Sequence, residues 1–472
     1  EPLHTAMVSD FGAPGAIIDF QAPLQHTLVP DNMRKKKTFE KMFLEGRPPV
    51  SVGVMSSGDI YGGTAVTFGD VLGDKQINFT AASIATYRTF ALSYLSIGQR
   101  FQYALQGYSQ TLFYYGQLGG LFYDPTYAPF ISRDQAQSTQ TVQGGSAIGI
   151  YPLDRYHRVE LSAGFMNINQ SFNDQSLQQY SNAYQLATTG QSLVTSGNMM
   201  PLSVAFVRET TIFRDYGPLA GSTARVSYEF APSFGGLLSR HEIDAEARHY
   251  LRIGSNGVLA TRIHAFRSAG DFPGFLYFGG NNDLRGYDYL QFVGQNVVYA
   301  NAELRFPIIE AALTPIGVIG GIRGVFFAGA GGAWFSDQQA QTPCSGETQG
   351  FRFMNTNTEN CQVITGYKTD ALGNPIINTD PVSGLQTPVP TYGTQQVSGF
   401  RLQDGRASYG MGLETFLFGF PIHFDWAWRT LFNKQWENVV FACSSTTASG
   451  QCVNGADDFR KPQFSVWIGY DF

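Results

Sequence analysis

The last ten residues, QFSVWIGYDF, set Phe464, Val466, Ile468, Tyr470 and Phe472 on one side of an extended chain and Ser465, Trp467, Gly469 and Asp471 on the other. A period of two separates side chains into faces only in a β-strand. The same alternation recurs in IHFDWAWRT, where Ile422, Phe424, Trp426 and Trp428 oppose His423, Asp425, Ala427 and Arg429. In VVYANAELRF, Val298, Ala300, Ala302, Leu304 and Phe306 oppose Tyr299, Asn301, Glu303 and Arg305. Marked out in this way, strands fall at 50–56, 59–70, 75–85, 88–97, 100–113, 140–151, 157–168, 200–211, 222–231, 241–252, 257–268, 295–306, 322–336, 406–417, 420–430 and 463–472, sixteen in all. The links between them alternate. GDK, SIGQR, PLDRY and RIGSNG are short turns, whereas 114–139, 169–199, 269–294, 337–405 and 431–462 are long, and 307–321 is longer than a turn and has room for a small helix.

Which face looks inward is decided by charge. In HEIDAEARHY, Glu242, Asp244, Glu246 and Arg248 share a side, and a row of both signs suits the wet lumen of a barrel whose other face meets lipid. Short turns on one side and long loops on the other fit the same all-β architecture, a transmembrane antiparallel β-barrel of sixteen strands. Composition agrees. Only 14% of the 472 residues are charged, 14% are aromatic and 53 are glycine, too few charges for an ordinary soluble surface. A net charge of −6 leaves no global basic footprint, so nucleic acid is excluded as an expected partner. A membrane helix is excluded too, because the best apolar stretch, Ala311 to Phe335, is interrupted by Pro315 and Arg323.

The four cysteines all fall in long outer links, Cys344 and Cys361 in one, Cys443 and Cys452 in the next. Thiols confined to exterior loops of an exported protein read as disulfides, with pairing inside each loop favoured by proximity. A zinc site is the competing reading, but no C-x2-C element is present. Residues 1–49 differ from the rest and are expected to form a periplasmic extension or linker, with the barrel at 50–472. Within the extension, RKKKTFEKMF carries a basic patch, Arg34 to Lys37, either solvated or facing acidic lipid headgroups or a partner beside the barrel. No leader is visible at EPLHTAMVSD, so the expectation is a mature chain or a fragment.

Enzyme signatures are sparse. The start of HEIDAEARH imitates a zinc-protease helix, but its second histidine would have to stand at Ala245. GAGGAW lies within a strand and lacks the third glycine of a dinucleotide loop, and no G-x-S-x-G elbow occurs. His423 and Asp425 share one inward face without an evident nucleophile. The expectation is no enzyme, no cofactor and no metal.

One stretch remains unexplained by alternation. FGGNNDLRGYDYLQF, Phe278 to Phe292, sets four aromatics around Arg285, and Gly279, Gly280 and Gly286 let the chain turn tightly enough to carry that arginine inward. Here the sequence resembles the BamA-like outer-membrane assembly barrels of the bacterial surface antigen superfamily. Arg285, Gly286 and Tyr287 match the R-G-F/Y tripeptide of that family's sixth loop, Phe278, Gly279 and Gly280 match the F-G-G before it, and Glu303 to Pro307 match its E-L/Y-R-F-P strand. Sixteen strands and a terminal aromatic signal also belong to the family. The resemblance implies a sixth extracellular loop inserted in the lumen, with Arg285 paired to an acid on the wall. The family's F-x-D-x-G is Phe327 to Gly331 here and lacks the aspartate, so Glu303, Glu414 and Asp425 are the inward candidates, since an enclosed guanidinium without a carboxylate is costly.

Forty-nine residues leave no room for a complete periplasmic POTRA module, and the chain looks closest to family barrels attached to TolB-like propellers. What the resemblance implies is a cell outer-membrane protein that assists insertion or translocation of polypeptides through a weak seam between first and last strands. The alternative is a passive pore or a membrane anchor for a periplasmic partner. Expected partners are outer-membrane lipid, including lipopolysaccharide where present, client polypeptides, and periplasmic or outer-membrane proteins.

Overall fold

The computed structural model describes residues 42–45, 50–54, 60–84, 87–114, 138–190, 192, 196–214, 217–254, 256–314, 317–336, 344, 357–379, 386–417, 420–442, 445–446, 452–453 and 455–469. The alternating runs are strands. β1 (Val50–Val54), β2 (Ile60–Asp70), β3 (Lys75–Ile84), β4 (Tyr87–Ser96), β5 (Gln102–Tyr114), β6 (Ser138–Pro152), β7 (His157–Phe172) and β8 (Leu202–Glu209) lead into β9 (Gly217–Ala231), β10 (Arg240–Ile253), β11 (Gly257–Ala269) and β12 (Asn296–Thr314). β13 (Gly317–Trp334), β14 (Arg406–Leu417), β15 (Phe420–Thr430) and β16 (Gln463–Ile468) complete the series, each antiparallel to the one before. Among the described residues the sheet has nineteen segments, because Met42–Leu44, Gly197–Met199 and Ile212–Arg214 are short pieces that prolong the line of β1 or β8 after an irregularity. Among the described residues no ladder joins β1 to β16, so these two strands end the sheet.

The two faces differ as the alternation requires. One exposes Leu161, Phe165, Val226, Ile243, Leu251, Ile263, Phe326, Met411 and Phe464. The other carries ion pairs between neighbouring strands, Arg240 with Glu229, Arg262 with Glu246 at 2.6 Å and Arg323 with Glu414 at 2.5 Å, and a hydrogen bond between His264 and Asp244 at 2.7 Å. Apolar atoms outside and matched charges inside are what a strand wall needs when lipid replaces water on its outer surface. No helix among the described residues is long and apolar enough to cross a membrane. Tyr470 to Phe472, expected to finish the terminal apolar row, lie outside the described residues.

One expectation is corrected. The link 307–321 is not a turn with a small helix: β12 runs on to Thr314 and β13 starts at Gly317, and the two stay paired from Asn296↔Trp334 to Thr314↔Gly317. Pro307 invites an early stop because it cannot donate to a ladder. Yet the pairing with β11 already ends at Arg305↔Val258, so Pro307 lies where β12 has become an edge, and a register shift between Pro307 and Ile309 absorbs it.

The long links carry structure of their own. α1 (Gln175–Thr189) is capped by the Asp174 carboxylate, which accepts from the Ser176 and Leu177 amides, and is closed by Gly190 at φ 76°. Leu276–Phe278 pairs with Phe292–Gly294, and Glu359–Tyr367 with Pro390–Val397. Two short helices, α2 (Lys434–Val440) and α3 (Gly455–Arg460), follow β15. The largest apolar cluster lies where these links meet the strand ends: Phe278, Leu284, Tyr287, Tyr299, Leu402, Leu431, Trp436 and Phe459 belong to it. Cys344 and Cys361 form a disulfide with Cα atoms 5.4 Å apart. The expected Cys443–Cys452 pair involves Cys443, which lies outside the described residues, as does the basic patch Arg34 to Lys37.

Candidate functional site

The segment 278–292 is held closed by its glycines. Gly279, Gly280 and Gly286 stand at φ 125°, 88° and 87°, a region L side chains rarely enter. Gly286 has a second reason to be glycine: a Cβ there would come within 2.9 Å of the Ala427 Cβ on β15. The tip therefore lies hard against the sheet. A short bridge, with the Leu284 amide donating to the Gly280 carbonyl at 3.0 Å, aims the next side chain, Arg285, at the wall.

Arg285 is only 5% exposed and all three of its nitrogens are used. Nη2 donates to Glu303 Oε1 on β12 at 2.6 Å, Nη1 to Asp425 Oδ1 on β15 at 3.3 Å, and Nε to the Asn281 carbonyl within the segment at 3.1 Å. The guanidinium lies over the Phe327 ring at 4.6 Å. Glu303 and Asp425, 3% and 1% exposed, would be destabilising if either stood alone. Each has a further donor: Arg305 grips Glu303 Oε2 at 2.7 and 2.9 Å, and the Trp467 indole N–H donates to Asp425 Oδ2 at 2.7 Å. Two cations and two carboxylates thus balance within one buried cluster.

Of the three candidate acids, Glu303 and Asp425 reach Arg285, and Glu414 does not. Glu414 faces Arg323 directly across the β13–β14 ladder, whereas Asp425 is level with Gly412, one inward position away. The pairing Glu414 makes with Arg323 follows from that register. The missing family aspartate also has a local account. A Cβ at Gly329 would meet Asn301 Oδ1 on β12 at 2.5 Å and the Leu284 side chain of the segment at 3.1 Å, so wall and segment together fill the space an acid would need. The second carboxylate comes instead from β15.

Other anchors were not singled out from the sequence. Asp283 takes Arg262 Nη1 at 2.9 Å and the Tyr299 hydroxyl at 3.2 Å, and His264 bridges Tyr299 to Asp244. Phe278 stacks on Tyr299 with ring centres 5.1 Å apart. The Tyr287 hydroxyl donates to the Ala407 carbonyl at 3.1 Å, and burial pushes its pKa well up, keeping it a donor. Arg305 had a signal, two positions from Glu303 on one face; Asp283 and Trp467 had none beyond alternation. Asn281 meets Ser465 on β16 at 3.3 Å while Asp283, two residues on, meets Arg262 on β11. Six strands laid flat would separate β11 from β16 by about 24 Å. The sheet must therefore curl around the segment, polar face inward.

The Omp85 superfamily domain matches residues 120–472, well over half of the chain. No curated protein matches the chain in sequence. Among solved structures it is similar to BamA from Haemophilus ducreyi lacking POTRA domains 1-3, at 14% identity and a TM-score of 0.49 over 91% of this chain and 70% of that one. It is similar to CdiB from Escherichia coli at 14% identity and a TM-score of 0.37, and to CdiB from Acinetobacter baumannii at 10% and 0.35, covering 80% and 82% of this chain but only 58% and 56% of those. On the match to the domain, the chain belongs to the Omp85 superfamily of outer-membrane β-barrels.

Proposed function

We propose that this protein inserts polypeptides into the outer membrane, or passes them across it, by opening laterally between β1 and β16. The observation that carries the reading is that, among the described residues, the two end strands are short, five residues in β1 and six in β16, against 19 in β12 and 18 in β13. Each ladder hydrogen bond contributes a net of about 0.5–1.5 kcal/mol, so the end strands are the least costly to part from a neighbour. An edge so released offers unpaired N–H and C=O groups to an incoming extended segment. In this reading Arg285 and its segment fill the lumen and keep it from conducting. No covalent step is needed. His423 and Asp425 serve the wall, His423 stacked 3.6 Å from the Trp467 ring and Asp425 holding Arg285. The partners are client polypeptides and periplasmic or outer-membrane proteins, within a lipid and lipopolysaccharide surround.

A clamp across the seam tests the reading. Val52→Cys with Val466→Cys, oxidised in reconstituted protein, should abolish insertion of a labelled outer-membrane client into liposomes, and reductant should restore it. Insertion indifferent to the clamp would defeat the proposal. A large steady conductance together with that indifference would instead favour a passive pore.

A further inference from the structure

We infer that Trp467 latches the 278–292 segment to the seam strand β16, so that release of the segment and fraying of the seam are one event. The inference deepens the seam reading above and rests on it. Its basis is the sharing of Asp425. One carboxylate oxygen accepts from Arg285 at 3.3 Å and the other from the Trp467 indole at 2.7 Å, and the Arg285 guanidinium lies 5.7 Å from the centre of that indole. A second tie runs beside the first, with Ser465 Oγ donating to Asn281 Oδ1 at 3.3 Å. Of the inward row of β16, Gln463, Ser465 and Trp467, the last two hold the segment or its acid.

What gives these ties weight is the poverty of the rest. β16 pairs with β15 only from Ile422↔Ile468 to Ala427↔Gln463, and no described ladder lies on its other side. Its outward residues Phe464, Val466 and Ile468 are more than half exposed, and of these Phe464 lies beside Trp426 on β15 with ring centres 5.1 Å apart. Trp467 supplies the inward hold: it stacks on His423 with ring planes 5° apart, and His423 Nε2 in turn meets the Gly469 carbonyl at 2.8 Å. A shift of Arg285 takes the cation from Asp425, and the indole N–H then faces a carboxylate that is no longer fixed. Conversely, withdrawing Trp467 leaves Asp425 to Arg285 alone and opens the floor under Asn281. Trp467 is a positioning residue in this scheme, acting through Asp425.

Hydrogen exchange on the purified full chain in nanodiscs, with no client present, tests the coupling in both directions. Trp467→Phe keeps an aromatic ring over His423 and removes the N–H donor together with part of the indole's area. It should speed amide exchange roughly tenfold in the segment, at 281–289, as expected for loss of one hydrogen bond to a charged group. Arg285→Ala should speed exchange at 464–468 by a comparable factor, and the double variant should exceed neither single by more than about twofold. If Trp467→Phe destabilises the whole barrel, Ser465→Ala gives the same reading through the second tie. Exchange in the segment that stays at the parent rate while β16 alone loosens would overturn the inference, as would two effects that simply multiply. Because no client takes part, that failure would leave the insertion proposal standing, so it is distinguishable from failure of the clamp experiment.

Discussion

Arg285 shows how much one side chain can be asked to hold. Two carboxylates, a backbone carbonyl and a phenyl face surround it, and the acids are themselves tied to Arg305 and Trp467. Arg285→Ala should lower unfolding stability in liposomes by on the order of 3–5 kcal/mol, measured by urea titration. Arg285→Lys should recover part of the loss, because an ammonium restores charge but cannot span Glu303 and Asp425 with a planar fork. Gly329→Asp is a sharper check. It restores an acid at the family's position, yet the Cβ would collide with Asn301 and Leu284. It should therefore destabilise the barrel even in an Asp425→Asn background; a rescue there would show that the space can open. The alternation of residues was enough to turn Glu303, Glu414 and Asp425 inward. It could not tell them apart, since which acid lies level with Arg285 depends on the register of β12, β14 and β15, and register follows from pairings between distant strands.

At the scale of elements, strand length and strand fastening separate. β6 and β7 pair over Ser138–Pro152 and His157–Phe172, whereas among the described residues β1 pairs over Val50–Val54, continued by Met42–Leu44, and β16 over Gln463–Ile468. Amide exchange should therefore be fastest, among described strands, at β1 and β16, and slowest in the middle of β6, β7, β12 and β13. Uniform protection across the sheet would contradict the weak seam. The outer hairpin Glu359–Tyr367 with Pro390–Val397 is stapled by Cys344–Cys361, which closes a loop with a sequence separation of 17. Non-reducing peptide mapping should recover that cross-link, and reduction should cost the outer links about 3 kcal/mol, read as a lower temperature of proteolytic nicking in 357–397. The strands were legible because each repeats its pattern over many residues. β12 past Pro307 was not, because proline marks an end in most strands and the absence of a β11 partner beyond Arg305 appears only in the sheet.

For the whole molecule, the curled sheet places its charges around a segment that occupies its polar side. Reconstituted in planar bilayers, the parent protein should conduct little, and Arg285→Ala should raise single-channel conductance as the segment loosens. A parent conductance as large as that of an open porin would show that the segment does not block the lumen. Ion pairs such as Arg262–Glu246 and Arg323–Glu414 draw on both ends of the sheet's later half, so lumen selectivity in the variant should depend on their balance.

By itself, the sequence determined the two faces of the strands read by alternation, most of the division between short turns and long links, with 307–321 the exception, and the unusual company of Arg285. These are local properties: side-chain direction alternates along the backbone whatever lies beside it. The expectation that Cys344 and Cys361 pair came from nearness along the chain and agrees with the disulfide found. Only the tertiary structure decided that Arg285 takes Glu303 and Asp425 while Glu414 goes to Arg323, and that β12 and β13 run on as a hairpin. It also decided that Trp467 on the last strand shares a carboxylate with a segment nearly two hundred residues upstream. Each of those depends on the curl and register of a sheet whose strands meet across long links, and no pattern within a single strand carries that information.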